Sequence, residues 1–146
     1  MADPFHLERF LKAQKPVYAS VLGELRNARK QSHWMWFIFP QIQGLGSSSM
    51  ANEYAITSLA EARAYLAHPV LGVRLHECVS LLLDLPRQPI AGILGQLDAT
   101  KLRSSMTLFA AADPDETLFT RLLNRYFMGQ NDPLTLRLLY SLPKTT

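Results

Sequence analysis

Two short segments contain the side chains best suited to bind a ligand. Residues 30–41 read KQSHWMWFIFPQ and place two tryptophans within three positions, and residues 101–107 read KLRSSMT and combine two cations with hydroxyl groups. Aromatic rings can stack on flat ligands, and lysine or arginine binds phosphate and carboxylate groups. These residue types predict recognition of a small anionic or nucleotide-like ligand.

The candidate ligand-binding residues are the polar and indole side chains of both segments: Lys30, His33, Trp34, Trp36, Gln41, Lys101, Arg103, Ser104 and Ser105. In this hypothesis an indole stacks on the ligand while the lysines and the arginine meet its phosphate. His33 is the weak candidate for acid–base catalysis, because histidine titrates near neutral pH, and Glu53 is a less favoured one. Whether the protein is an enzyme stays open at this point.

The same residues also have a purely structural interpretation. Residues 34–39 are apolar at every position, so most of these side chains must be buried, and for the tryptophans core packing is favoured over contact with a ligand. Lys30, His33 and Gln41 could simply be solvated surface. Ser104 and Ser105 could be small residues that allow another element to approach closely.

Several common chemistries lack the residues that they need. The single cysteine, Cys78, falls on the apolar stripe of a predicted helix, which indicates core packing and excludes an intrachain disulfide. No two histidines are three or four positions apart and no Gly-x-Ser-x-Gly motif occurs, so neither a helical metal pair nor a nucleophile elbow is predicted. Residues 44–49, GLGSSS, lack the lysine of a P-loop, and a plain turn with Ser49 as a helix cap is favoured. We predict no metal and no cofactor.

Composition and charge indicate a soluble globular chain. Hydrophobic residues make up 48% of the 146 positions and charged residues 18%, which fits one domain spanning residues 1–146. The net charge of +3 is small and the basic residues are dispersed, so binding of nucleic acid is disfavoured despite a basic patch at Arg26, Arg29 and Lys30. The apolar run of residues 34–39 is far shorter than the about 20 residues of a membrane span. We therefore expect a cytoplasmic protein, and nothing in the sequence sets its oligomeric state.

Prolines, caps and hydrophobic periodicity predict the elements that position these residues. Each Asp-Pro pair, at residues 3–4, 113–114 and 132–133, is expected to cap and open a helix, and Ser58 with Glu61 forms a capping box. Asp98 is a further expected cap. No segment alternates with the period of a strand. The predicted fold is all-α, a compact orthogonal bundle of about seven helices near residues 4–15, 16–28, 58–68, 69–85, 98–109, 118–127 and 134–142, with one more turn near 90–94.

Several strings together resemble a bacterial protein family of unknown function. They are SHWMWFIFPQ followed by GLG, then YAI with EARAYLAHPVLG, then KLRSSMTLFA and DPLTL, and the resemblance runs from Asp3 to about Leu139. Members are often labelled calpastatin, but calpastatin acts through disordered segments, whereas this composition is that of a globule. The resemblance implies an all-helical cytoplasmic domain with no settled activity. The alternative to a ligand-binding protein is a helical module that presents an apolar patch to a protein partner and has no catalytic activity.

Overall fold

Helix caps and prolines divide the chain into short helices. The computed structural model describes residues 2–141, and this part of the chain forms ten α-helices. In order they are α1 (Glu8–Gln14), α2 (Tyr18–Arg26), α3 (Met35–Ile38), α4 (Ser49–Glu53), α5 (Leu59–Ala67), α6 (Leu71–Asp84), α7 (Ile90–Leu94), α8 (Gln96–Ala112), α9 (Leu118–Phe127) and α10 (Pro133–Tyr140). Residues 2–141 contain no strand, and the one β-bridge pairs Ile42 with Ile56.

The all-helical prediction is confirmed, but the count of seven is wrong. The helices beyond these seven, α3, α4 and α7, have only four or five residues each, and α7 coincides with the turn predicted near residues 90–94. A segment this short does not complete two helical turns, so its hydrophobic pattern carries no readable period. The predicted orthogonal arrangement also differs from the structure in detail, although α5 and α6 do meet at 87°. The predicted position of Leu142 in the last helix lies outside the described residues.

The caps explain where several helices begin. Asp132 Oδ2 accepts a hydrogen bond from the amide of Thr135 at 3.1 Å, as predicted. Ser58 Oγ accepts one from the amide of Glu61 at 3.1 Å, which is one half of the predicted capping box, whereas the Glu61 carboxylate accepts from the amide of Thr57 at 2.9 Å and not from that of Ser58. Two expectations are wrong. The pair at 113–114 does not open a helix, because α9 begins only at Leu118. The cap of α4 is Ser48, one residue before the predicted Ser49.

The core surrounds α8, which packs against α5, α7, α9 and α10. Its largest fully buried side chains include Phe10, Trp34, Phe39, Tyr65 and Phe109. Most of residues 34–39 are buried, as predicted, and Trp36 is the one half-buried member. Because this apolar segment runs through the core beside α8, the two predicted ligand-binding segments become neighbours. Among residues 2–141, no single helix is both long and apolar enough to cross a membrane.

Cys78 lies in the core, as its helical spacing predicted. Its side chain is buried, and burial raises the pKa of the thiol to about 12. A thiol that stays protonated at neutral pH is a poor nucleophile. Cys78 therefore contributes packing rather than chemistry.

The close contact of α5 with α6 depends on the absence of a side chain at Gly72. A Cβ atom at this position would lie 2.1 Å from the carbonyl oxygen of Leu66. We expect Gly72→Ala to lower the free energy of unfolding by about 3 kcal/mol, because the backbone of Leu66 cannot move aside as a flexible side chain could. Urea denaturation measures the change.

Gly23→Ala is the matched control. Gly23 lies inside α2, and a Cβ there would meet nothing within 4 Å. Alanine should stabilise this helix by about 0.5–1 kcal/mol because it restricts the unfolded chain. Equal stability of the two variants would contradict the proposed α5–α6 contact.

Candidate functional site

The carboxylate of Glu24 fixes the start of the tryptophan segment. Glu24 lies in α2 and accepts hydrogen bonds from the amides of Gln31 (2.7 Å) and Ser32 (3.0 Å) and from the Ser32 hydroxyl (2.5 Å). The indole Nε1 of Trp34 donates to the same carboxylate at 2.9 Å. Trp34 is 1% exposed. Its buried N–H therefore has a partner, and the ring is part of the core.

These hydrogen bonds also determine the ionisation of Glu24. Partial burial alone would raise its pKa, but the bonds from the Ser32 side chain and from the amides of Gln31 and Ser32 outweigh burial and lower the pKa to about 2. Hydrogen bonds to the charged form stabilise it. Glu24 is consequently a carboxylate throughout the physiological pH range.

A second carboxylate, Asp98, lies between two lysines. Its Oδ2 is 2.9 Å from Lys30 Nζ, and its Oδ1 is 3.4 Å from Lys101 Nζ. Each ammonium group also lies 5.0 Å from the centroid of an indole ring, Lys30 over Trp34 and Lys101 over Trp36. We call these five residues the lysine–tryptophan cluster. It joins the two segments that the sequence singled out.

The structure corrects the role expected for Asp98. The N-cap of α8 is Gly95, and no side chain caps this helix. Asp98 lies in the first turn, where its negative charge interacts favourably with the positive end of the helix dipole. Its carboxylate oxygens are free to bind the lysines. The sequence contains no direct signal for this pairing, because Lys30 lies far from Asp98 along the chain.

The two halves of the cluster differ in exposure. The side chain of Lys30 is 9% exposed, and it also donates to the carbonyl oxygen of Ser32 at 2.6 Å. The side chain of Lys101 is 30% exposed, and Trp36 is half-buried. Lys30 and Trp34 therefore form the inner half, whereas Lys101 and Trp36 reach the surface.

Of the two flanking candidates, Gln41 lies beside Trp36. His33 is exposed, and Gln41 is half-buried. Gln41, Trp36, Gly44 and Gly46 border a space of about 10 Å³, which is enough for one water molecule at most. The surface around Trp36 is accordingly shallow.

The remaining candidates of the second segment lie at another contact. Arg103 donates from Nε to the carbonyl oxygen of Gln130 at 3.1 Å and from Nη2 to that of Asn131 at 2.6 Å. Ser104 Oγ donates to Asp132 Oδ2 at 2.9 Å. These bonds join α8 to the segment that precedes α10. They give both side chains a structural partner.

Lys101 and Arg103 are not placed to meet the same phosphate, as the hypothesis expected, because Arg103 donates to the segment before α10. Residues two positions apart on a helix do not face each other, so the two cations project from different sides of α8. Ser105 is fully buried, and its Oγ has no hydrogen-bond partner within residues 2–141. It packs against the core and is not accessible to a ligand.

A cavity of about 540 Å³ lies elsewhere, beside α1. Arg9 and the less favoured acid–base candidate Glu53 both line it. All five N–H donors of Arg9 are used, by the carbonyl oxygens of residues 5, 6, 53 and 55 and by the carboxylate of Glu61 at 2.9 Å. This arginine holds the fold together and has no donor left for an anion.

The hydrogen bonds of Glu24 predict a pH-dependent contribution to stability. We expect Glu24→Gln to lower the free energy of unfolding by about 2 kcal/mol at neutral pH, because the hydrogen bonds to a charged carboxylate at the edge of the core are lost. A lowered pKa stabilises the fold above the usual pKa of the free carboxyl, and this stabilisation disappears as the pH falls toward about 2. The difference between the two proteins should therefore shrink between about pH 5 and pH 2.

Denaturant unfolding at several pH values measures this difference. Glu8→Gln is the matched control, since Glu8 is exposed at the start of α1 and its side chain accepts no hydrogen bond within residues 2–141. A constant difference between wild type and Glu24→Gln across this range would contradict the assigned role.

The fold and the sequence both match proteins whose function is unassigned. A conserved hypothetical protein from Mycobacterium tuberculosis, Rv1873, has a crystal structure at 1.38 Å and is 53% identical in sequence. The match covers 94% of this chain and 98% of that one, with a TM-score of 0.92. The sequence has no significant match among curated proteins. The calpastatin label appears in neither the structural match nor the family match. The model of a family described as "Protein of unknown function (DUF1810)" matches residues 4–139, so the chain belongs to the DUF1810 family.

Proposed function

We propose that this protein binds a small anionic, nucleotide-like ligand at the outer half of the lysine–tryptophan cluster. The observation that carries the proposal is the position of the Lys101 ammonium, 5.0 Å from the centroid of the half-buried Trp36 ring. A cation and an aromatic surface thus meet the solvent together. Nucleotides combine a flat base with a phosphate, and they can use both groups.

The charge balance of the cluster favours an anion at Lys101. One carboxylate, Asp98, serves two lysines, so the three groups together keep one positive charge. Lys30 has the shorter contact with Asp98 and the more buried side chain, whereas Lys101 lies at 3.4 Å and is 30% exposed. Lys101 is therefore the cation that an incoming phosphate can reach with the smaller loss of existing contacts.

Neighbouring polar groups could orient such a ligand. Trp36 Nε1 makes no hydrogen bond within residues 2–141, in contrast to the paired indole of Trp34. The amide of Gln41 borders the same surface, as do the backbone groups of Gly44 and Gly46. Each of these can hydrogen-bond a polar edge of a base or a sugar.

In this proposal the other candidate residues have a structural role and hold the site in place. They are Lys30, Trp34, Arg103, Ser104 and Ser105, all bonded to or packed against the fold. His33 lies at the exposed edge, and within residues 2–141 it makes no hydrogen bond that would fix its ring. A general base needs such orientation, so the proposal assigns binding and no reaction.

One observation favours the alternative function, a surface for a protein partner. Leu134 and Leu138 lie one turn apart on α10 and are 52% and 44% exposed, and Tyr140 on the same helix is 58% exposed. Apolar side chains grouped in this way are typical of contact surfaces. This second candidate places the working surface on α10 and leaves the lysine–tryptophan cluster structural.

Lys101→Met separates the two functions. AMP and ADP should raise the midpoint of thermal unfolding and change the tryptophan fluorescence of the wild-type protein, because a ligand stabilises the state that it binds. Replacing Lys101 should weaken this binding about tenfold, the effect of losing one charge-assisted contact. Fluorescence titration measures the affinity.

Lys15→Met is the control, because Lys15 is an exposed lysine after α1 and its loss changes the net charge equally. Equal weakening by both variants would indicate general electrostatic attraction. Absence of any nucleotide effect on the wild-type protein would contradict the proposal and leave α10 as the candidate surface.

A further inference from the structure

A separate open cavity of about 320 Å³ lies between α9 and the end of α6. Three arginines, Arg87, Arg121 and Arg125, line it together with Leu83 and Asn124. We propose that this cavity binds a phosphate group, either inorganic phosphate or the phosphate of a small monoester. It shares no lining residue with the surface around Trp36, so the proposal is independent of the proposed nucleotide site.

The amphipathic pattern of α9 brings two of the arginines together. Leu118, Leu122 and Leu123 are buried against the core, which directs Arg121 and Arg125 outward. These two residues are four positions apart and therefore neighbours on one face of the helix. Like charges at this spacing repel each other, so the fold accepts an unfavourable contact that an anion would relieve.

The third arginine comes from a different element. Arg87 lies in the segment between α6 and α7 and lines the cavity together with the two arginines of α9. Arg87 and Arg121 are both exposed, and neither side chain donates a hydrogen bond within residues 2–141. Their donors are thus free to bind an oxyanion.

Within residues 2–141, no carboxylate forms an ion pair with these arginines. In the described part of the chain, the acids that form ion pairs are Glu61, Asp98 and Glu116, and none of them pairs with these arginines. Asp84 is the acidic residue closest to Leu83 in sequence, but it does not line the cavity. Three positive charges therefore face one small space without a counterion from residues 2–141.

Arg125 is already held in position. Its Nη2 donates to the carbonyl oxygen of Leu85, and its Nε is buried without a partner among the described residues. A buried donor without a partner is costly and is more often tolerated at binding sites than elsewhere. The Nη1 group of Arg125 makes no hydrogen bond within residues 2–141, so the anchored guanidinium can still donate to a phosphate oxygen in the cavity.

The size of the cavity limits the ligand. Its volume is at the lower end of the range of about 300–1,000 Å³ that is usual for ligand sites, and it is sufficient for a phosphate group or a small monoester. A nucleic acid would require a continuous basic surface that contacts several phosphates in succession. The concave shape and the small net charge of +3 favour the single phosphate.

Isothermal titration calorimetry of the full chain tests the site. Inorganic phosphate and glycerol phosphate are titrated separately, at an ionic strength held constant with chloride. We expect saturable binding of one equivalent, and the double variant Arg87→Gln with Arg121→Gln should weaken it at least about tenfold. Tighter binding of glycerol phosphate than of inorganic phosphate would identify the monoester as the ligand class.

The matched control is the double variant Arg26→Gln with Arg29→Gln, which removes two exposed arginines near the end of α2 and the same total charge. This control should bind phosphate as the wild type does. The thermal midpoints of all variants establish that they are folded. Equal weakening by the control, no saturable heat with either phosphate, or binding of an oligonucleotide without binding of phosphate would overturn the proposal.

Discussion

The carboxylate of Asp98, held between Lys30 and Lys101, is the contact on which the candidate site depends. A nearly buried ammonium such as that of Lys30 needs a counterion, since an unpaired charge there would cost several kcal/mol. The backbone of Lys30 is also fixed, because its amide donates to the carbonyl oxygen of Ile93 at 2.8 Å. Together these bonds attach the segment after α2 to α7 and α8.

This attachment divides the tryptophan segment into two functional halves. Glu24 accepts the hydrogen bond of the Trp34 N–H and Lys30 lies over the ring, which is buried in the core. Trp36 is two positions further on, and it meets Lys101 at the surface. The rigid inner half thus positions the more exposed outer half. This arrangement is expected of a binding site whose residues are held in place by packed neighbours.

The long helices could be predicted from sequence because their apolar residues repeat over several turns, as in α6 and α9. The short helix α3 could not, since residues 34–39 are apolar on every side, whereas the turn near residues 90–94 predicts α7 and the Ser49 cap predicts the start of α4 within one residue. The pairing of Asp98 with Lys30 depends on tertiary contacts that no local pattern encodes. The separation of Lys101 from Arg103 could be predicted from the sequence, because residues two positions apart on a helix point in different directions. The proximity of Arg121 and Arg125 could also be predicted from their spacing on a helix. Their proximity to Arg87 depends on the tertiary structure.

The central claim, that Trp34 is enclosed and Trp36 accessible, can be tested directly by acrylamide quenching of tryptophan fluorescence. Trp36→Phe leaves Trp34 as the single emitter, and Trp34→Phe leaves Trp36. The structure predicts blue-shifted, weakly quenched emission from Trp36→Phe and red-shifted, strongly quenched emission from Trp34→Phe, provided that circular dichroism shows both variants folded. Strong quenching of the emission that remains in a folded Trp36→Phe variant would contradict the account.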